Sequence, residues 1–260
     1  MLIATFNINN VNHRLENLIA WLRRRRPDVV CLQELKADDR AFPAGHLERE
    51  GYGAVWRGQK TWNGVAILAR GATPVLTRDR LPGDRNDEQA RYIEAAVGGI
   101  IIGSLYAPNG NPRPGPKFDY KLAWLERLKR HAASLRRAGV PLVLAGDFNV
   151  IPAAADVYNP AAWVNDALFR PATREAFQAL LGLGLTDALR AVSDAPGQYT
   201  FWDYQAGAWQ KNWGLRIDHL LLSPQASDRL TDVGIDSYVR AWEKPSDHVP
   251  VWADFDLETA

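Results

Sequence analysis

Apolar runs of strand length recur along most of the chain, divided by turns at Gly, Pro and Asn, while helical periodicity is confined to a few segments. The runs predict strands over residues 3–7, 29–33, 65–69, 93–97, 100–106, 142–145, 217–222 and 249–254. Residues 12–25 carry Leu15, Leu18, Ile19 and Leu22 on one face and predict a surface helix. The longest predicted helix spans about 116–138, with Phe118, Leu122, Leu125, Leu128 and Leu135 at three- and four-residue steps and Lys121, Arg127, Lys129 and Arg130 mostly outside. Pro171 opens a third helix through Phe177, Leu180 and Leu181 that stops near Gly182 or Gly184. No internal repeat, low-complexity segment or linker interrupts the pattern, so a single domain over residues 1–260 is expected. Many strands with few covering helices suit two packed sheets with helices on their outer faces.

Short polar motifs follow several of the buried runs: Phe6-Asn7-Ile8-Asn9, Leu32-Gln33-Glu34, Tyr106-Ala107-Pro108-Asn109, Gly146-Asp147-Phe148-Asn149, Arg216-Ile217-Asp218 and Ser246-Asp247-His248. Carboxylates, carboxamides, a phenol and an imidazole that all emerge from strand ends converge at one rim of a folded sheet. This donor set suits phosphate-ester cleavage: the attacking water needs activation, the departing oxygen needs its charge neutralised, and Mg²⁺ prefers oxygen ligands. Glu34 is the first candidate ligand, because an unpaired carboxylate at the end of a buried strand is costly. Asp147 and Asn149 lie two apart and leave on one side if the strand continues through them, although Asp-Phe-Asn serves equally well as an Asx turn. A lone histidine is more often structural, the reading applied to His13, His46, His131 and His219.

Each motif alone is weak; six in one order, together with Leu35-Lys36, Trp62-Asn63-Gly64-Val65-Ala66 and His219-Leu220-Leu221, are not. From Ile3 to Trp252 the chain resembles the exonuclease III family of DNA-repair nucleases (exodeoxyribonuclease III and AP endonucleases), within the exonuclease/endonuclease/phosphatase superfamily. The resemblance implies a four-layer α/β sandwich, two packed mixed β-sheets flanked by helices. It implies a metal site drawn from Asn7, Glu34, Asp147, Asn149, Asp247 and His248, for Mg²⁺ with Mn²⁺ as a substitute. Asp147 then orients or deprotonates the attacking water, and Asn149 contacts phosphate or metal. His248, held by Asp218, faces the phosphate, and Tyr106 bonds the phosphate or the leaving group.

Double-stranded DNA, including abasic sites and blocked 3′ ends, is the implied partner, held at Asn9, Lys36, Lys60, Asn63, Arg91, Asn109, Asn159, Lys211, Asn212 and Arg216. Trp209 and Trp213 flank Lys211 and Asn212; they either press into a groove or stack on an unpaired base, or one or both pack under the loop. Phe201, Leu215 and Ile217 are expected to line a pocket for an abasic sugar. Leu215 stands where the family often carries Trp, and Trp163 where AP-endonuclease relatives carry a phosphate-contacting Asn.

Composition changes this picture little. With 31 basic and 30 acidic side chains the net charge is +1, so DNA binding has to come from local segregation of charge rather than from an overall field. The run Arg23-Arg24-Arg25-Arg26 falls at a helix C-terminus, where cations favour the dipole and stay solvated. Cys31 sits in an apolar run and reads as a small core residue. The chain shows no leader-like or membrane-spanning segment, so a cytoplasmic monomer with no membrane partner is expected. The expected activity is 3′→5′ exonuclease, 3′-end cleaning or abasic-site endonuclease action in base-excision repair, leaving 3′-hydroxyl ends. The alternatives are a superfamily phosphatase acting on a small or lipid phosphate and a catalytically silent DNA-binding module.

Overall fold

The computed structural model describes residues 1–256. In chain order the elements are β1 (Leu2–Asn7), α1 (Leu15–Arg25), β2 (Val29–Gln33), α2 (Ala44–Arg49), β3 (Tyr52–Arg57), β4 (Val65–Arg70), β5 (Val75–Arg78), β6 (Tyr92–Val97), β7 (Ile100–Tyr106), α3 (Pro116–Arg137), β8 (Leu142–Asp147), α4 (Pro160–Trp163), α5 (Pro171–Leu181), β9 (Thr186–Asp187), α6 (Ala188–Val192), β10 (Asp218–Leu222), α7 (Pro224–Ser227), β11 (Leu230–Ile235) and β12 (Val251–Phe255). They build two six-stranded sheets, ordered β11-β12-β1-β2-β4-β3 and β5-β6-β7-β8-β10-β9. Each sheet is mixed, with one parallel pair at its centre: β1 with β2, and β7 with β8. A parallel pair needs a crossover, and α1 and α3 are those crossovers.

Period-two alternation explains both the packing and the site. Ile3, Cys31, Ile102, Val143, Ala145 and Leu220 form the layer between the sheets. The opposite faces carry Phe6, Val30 and Leu32 against Leu18, Trp21 and Leu22 of α1. On the second sheet Leu105, Leu142, Leu144 and Leu221 pack against Trp124, Leu125 and Leu128 of α3 and Phe177 of α5. The expected four-layer sandwich, helices on two packed mixed sheets, is the observed fold. Towards one end the inter-sheet layer turns polar: Thr5 donates to Gln33 at 3.1 Å and Gln33 donates to Ser104 at 3.2 Å. One alternation further on the same faces end in Asn7, Tyr106, Asp147 and Asp218, the last three directly opposite one another in register.

Gly146 makes one of these approaches feasible, since a Cβ there would lie 1.9 Å from the Leu105 carbonyl oxygen. Helix α1 starts at Leu15 rather than at residue 12. The outward placement of Lys121 and Arg127 on α3 is corrected: both are buried, because each supplies hydrogen bonds to loop carbonyls. The arginine run is tied into structure, Arg23 to Glu50, Arg25 to Asp236 and Arg24 over the Tyr238 ring. Cys31 is fully buried, which pushes its thiol up to about 12. No helix among the described residues is long and apolar enough to cross a membrane.

Candidate active site

The strand ends meet in one hydrogen-bonded cluster. Asn7, at the end of β1, donates to Glu34 Oε1 at 2.9 Å and to Asp147 Oδ2 at 3.1 Å. Glu34 follows β2 with φ +51° and Asn149 follows β8 with the same φ, so both strands break into left-handed turns that aim these side chains along the rim. Lys36 bonds Glu34 Oε2 at 2.8 Å and Asn9 at 2.6 Å, and Asn9 in turn donates to Asp247 at 2.9 Å. His248 Nδ1 lies 2.9 Å from Asp218 Oδ2, leaving Nε2 facing Asp147 Oδ2 at 3.7 Å. Thr200 fixes the same Asp218 oxygen at 2.6 Å, and the Phe201 ring packs on the imidazole at 4.9 Å. Asn109 donates to Asn149 Oδ1 at 3.3 Å, so the two carboxamides brace each other.

The charges are strongly coupled. Burial raises Asp147, His248 opposes this, and the charges of Asp218 and Glu34 add to it, leaving the carboxyl above its usual range. Burial alone would lower His248, but Asp218, by charge and hydrogen bond, with Asp147 and Asp247 behind it, raises the imidazole. Burial also works against Glu34 ionising, yet the charges of Lys36 and His248 and the bonds from Lys36 and Asn7 hold it below the usual carboxylate range. Tyr106 is held well above its ordinary value by burial and by Glu34 and Asp147, so it remains a phenol and a donor. Glu34, Asp147 and His248 each offer one donor atom, all within 4.8 Å of one another.

These groups open into a cavity of about 270 Å³ whose other walls are Phe201, Leu215, Ile217, Leu168 and Trp163. The structure therefore brings together Asn7, Glu34, Tyr106, Asn109, Asp147, Asn149, Asp218, Asp247 and His248, with Phe201, Leu215 and Ile217 as the apolar wall. Asn9 and Lys36 adjoin them, and Arg91 stacks on the Tyr106 ring at 4.7 Å. Lys60 is exposed and pairs with Asp38 at 3.3 Å. Trp213 is 38% exposed and stacks on Tyr158 at 5.4 Å, with Lys211 Nζ 4.2 Å from the centre of its ring.

Several expected DNA contacts are corrected. Arg216 is 1% exposed and clamps Asp156 at 2.6 Å and Asp187 at 2.8 Å, so its guanidinium is consumed by the fold. Trp209 packs edge-on to Trp202 at 4.8 Å beneath the loop instead of facing outward. Asn63 is buried against Gln59, whereas Asn212, which accepts the Trp202 indole N–H at 3.1 Å, and Asn159, which caps α4 through the Ala162 N–H, remain exposed. Sequence reasoning missed Asn111, Asp166 and Asp203, which reach the cavity wall from loops without periodic pattern. It also missed Lys121, whose ammonium donates to the carbonyls of Asn109 at 3.0 Å and Asn149 at 2.5 Å, beneath the two carboxamides. Burial pulls its pKa down to about 7.

The endonuclease/exonuclease/phosphatase family model matches residues 4–248. The chain belongs to this family. It is 35% identical over 267 residues to exodeoxyribonuclease III of Haemophilus influenzae, across 98% of this chain and 100% of that protein. It is also similar to two solved members of the family. One is the 3′-5′ exonuclease NExo from Neisseria meningitidis, with TM-score 0.95, 43% identity and coverage of 98% of this chain and 100% of the other. The other is an AP endonuclease from Archaeoglobus fulgidus, with TM-score 0.93, 38% identity and coverage of 98% and 99%. A substituted form of Neisseria NExo, described as a 3′ phosphatase, has also been solved bound to a product DNA hairpin.

Proposed function

We propose that this protein is a Mg²⁺-dependent DNA phosphodiesterase of base-excision repair that leaves 3′-hydroxyl ends, acting as a 3′→5′ exonuclease and at abasic sites. The observation that carries this reading is the union, in one cavity, of the carboxylate–imidazole cluster with the apolar wall of Phe201, Leu215 and Ile217. The cluster handles a phosphodiester, and the wall accepts a sugar or small 3′ group while offering a base no polar partner.

Asp147, raised by burial, takes the proton of the attacking water, and the Asn149 backbone N–H at 2.9 Å keeps the carboxylate turned to its task. His248 presents Nε2–H to the phosphate oxygen that gains charge, with Asp218 holding the ring through Nδ1. Tyr106 donates from its phenol to the same phosphate or to the leaving group. The donor set fits a hard divalent cation: Glu34 and Asp147 supply oxygens, the Asn7 carboxamide adjoins, and Asp147 stays above its usual range even with His248 beside it. When bound, Mg²⁺, or Mn²⁺ in its place, neutralises charge on the phosphate oxygens. The chain acts as a monomer with double-stranded DNA as its partner.

End-labelled duplexes, intact and abasic, incubated with and without Mg²⁺, test the reading. Metal-dependent products ending in 3′-hydroxyl are expected. Binding without cleavage would identify a silent DNA-binding module, and hydrolysis of a lipid or small phosphate with no action on DNA would identify a superfamily phosphatase.

A further inference from the structure

Tyr106, Asn109 and Asn111 form a common wall between the reaction cavity and a larger neighbour of about 570 Å³, which also reaches Trp62, Arg91, Lys117 and Tyr120. That volume is ample for a small ligand. Trp62 is 68% exposed, more than any other large hydrophobic side chain among the described residues. The residue before it, Thr61, holds φ +78°, a left-handed conformation that is strained for a β-branched side chain. The strain is sustained by anchors on both sides. Lys60 pairs with Asp38, and buried Asn63 donates at 2.8 Å to Gln59 Oε1, which is itself fixed by the Ala90 N–H at 2.8 Å. A loop strained and anchored so as to hold an indole in water gains nothing for the fold from that exposure.

The cavity lining itself carries two cations and no carboxylate. Arg91 lies over the Tyr106 ring and bonds Gln89 at 2.7 Å, and neither Arg91 nor Lys117 has a carboxylate partner among the described residues. Of the nearby acids, Asp87 behind the Tyr120 hydroxyl is already paired with Arg127 at 2.7 Å, Asp166 is bonded by Asn111 at 3.1 Å, and Glu34 and Asp147 lie on the reaction-cavity side of Tyr106. An exposed aromatic face beside two free cations is the combination that binds a base and its phosphate.

We propose that this cavity is a second nucleotide subsite. It receives the nucleotide across the scissile phosphate from the Phe201 pocket, with the base unpaired and stacked on Trp62 and the phosphate held by Arg91 and Lys117. The subsite favours frayed or mismatched 3′ ends over matched ones, because only an unpaired base reaches the indole. This rests on the nuclease reading above.

The test compares wild type, Trp62→Ala, Trp62→Phe and Lys117→Ala on duplexes with a matched 3′ end, on duplexes with a two-nucleotide 3′ mismatch, and on bis(4-nitrophenyl) phosphate. Losing one base–aromatic stack should lower kcat/KM for Trp62→Ala on the mismatched end by roughly five- to a hundredfold. The matched end should change far less, Trp62→Phe should restore most of the loss, and hydrolysis of the small diester, which does not reach the indole, should be unchanged. Lys117→Ala should flatten the log-log salt dependence on the mismatched end by about one unit. Equal losses on both ends, or full activity of Trp62→Ala on the mismatch, would overturn the subsite. A metal-free binding measurement separates this proposal from the nuclease reading: a 2-aminopurine at the penultimate position of the two-nucleotide 3′ mismatch should be quenched by wild type and not by Trp62→Ala. Absence of that quenching overturns the subsite even if DNA is cleaved, whereas quenching without cleavage would sink the nuclease reading alone.

Discussion

Replacing Arg216 with Met tests whether this buried cation belongs to the fold or to DNA. Its guanidinium bonds Asp156 at 2.6 and 3.3 Å, Asp187 at 2.8 Å and His219 Nδ1 at 3.1 Å. Asp156 would keep Arg190, at 2.6 Å, so the substitution strands chiefly Asp187, whose carboxylate loses its one cation. Breaking a buried pair by removing one partner costs about 3–5 kcal/mol, and Met fills most of the space without restoring charge. At roughly 2–4 °C per kcal/mol for a chain of this size, Tm should fall by roughly 6–20 °C. Scanning calorimetry measures that loss, and titration of duplex DNA at several salt concentrations measures the alternative role. A variant that unfolds within about 2 °C of wild type yet binds DNA with a salt slope reduced by one unit would refute the structural assignment.

Asp147→Asn and His248→Ala should each lower metal-dependent cleavage by at least about a hundredfold, Asp147→Asn with the unfolding temperature nearly unchanged and His248→Ala with a lower one because it strands buried Asp218; undiminished cleavage by either folded variant would remove that residue from the mechanism. Trp213→Ala should lower duplex cleavage without loss of stability, whereas Trp209→Ala should lower stability because its indole packs on Trp202; parallel losses in both would make the loop a structural lid. Acid should destabilise the protein through His219, which burial and the neighbouring Arg216 push down to about 4. An unfolded histidine titrates near 6.5, so between these values the unfolded chain binds more protons and stability falls as pH drops, by at most about 3 kcal/mol. His219→Gln should flatten that part of the denaturation-versus-pH curve, and an unchanged slope would place the acid loss elsewhere.

What was readable in the sequence is what the sheets themselves impose. Strands buried on both faces, such as Val29–Gln33 and Ile100–Tyr106, announce themselves as continuous apolar runs, and their last residues necessarily reach the same rim. Hence Asn7, Glu34, Tyr106, Asp147, Asp218 and His248 could be grouped from their places in the sequence. Half-exposed or edge strands were not readable: Val75–Arg78 is exposed throughout and Leu230–Ile235 is at most half-buried, so neither carries the signal.

The errors share one physical cause. Periodicity assigns a charged residue to solvent by its type, but Lys121 and Arg127 are drawn inward by loop carbonyls that no helix or strand satisfies. Arg216 reads as a DNA contact through its place in the family resemblance, yet its partners lie 60 and 29 residues away. The same pairing of distant loops decides which cations remain free. Once Arg216, Arg127 and Arg23 are committed to carboxylates, the positive charge left without one beside the reacting groups is concentrated at Arg91 and Lys117, with Lys211 carried on the Trp213 loop. A chain of net charge +1 can thus present a cationic rim to DNA without an overall cationic field, because the cations beside the reacting groups that are not tied to carboxylates lie together.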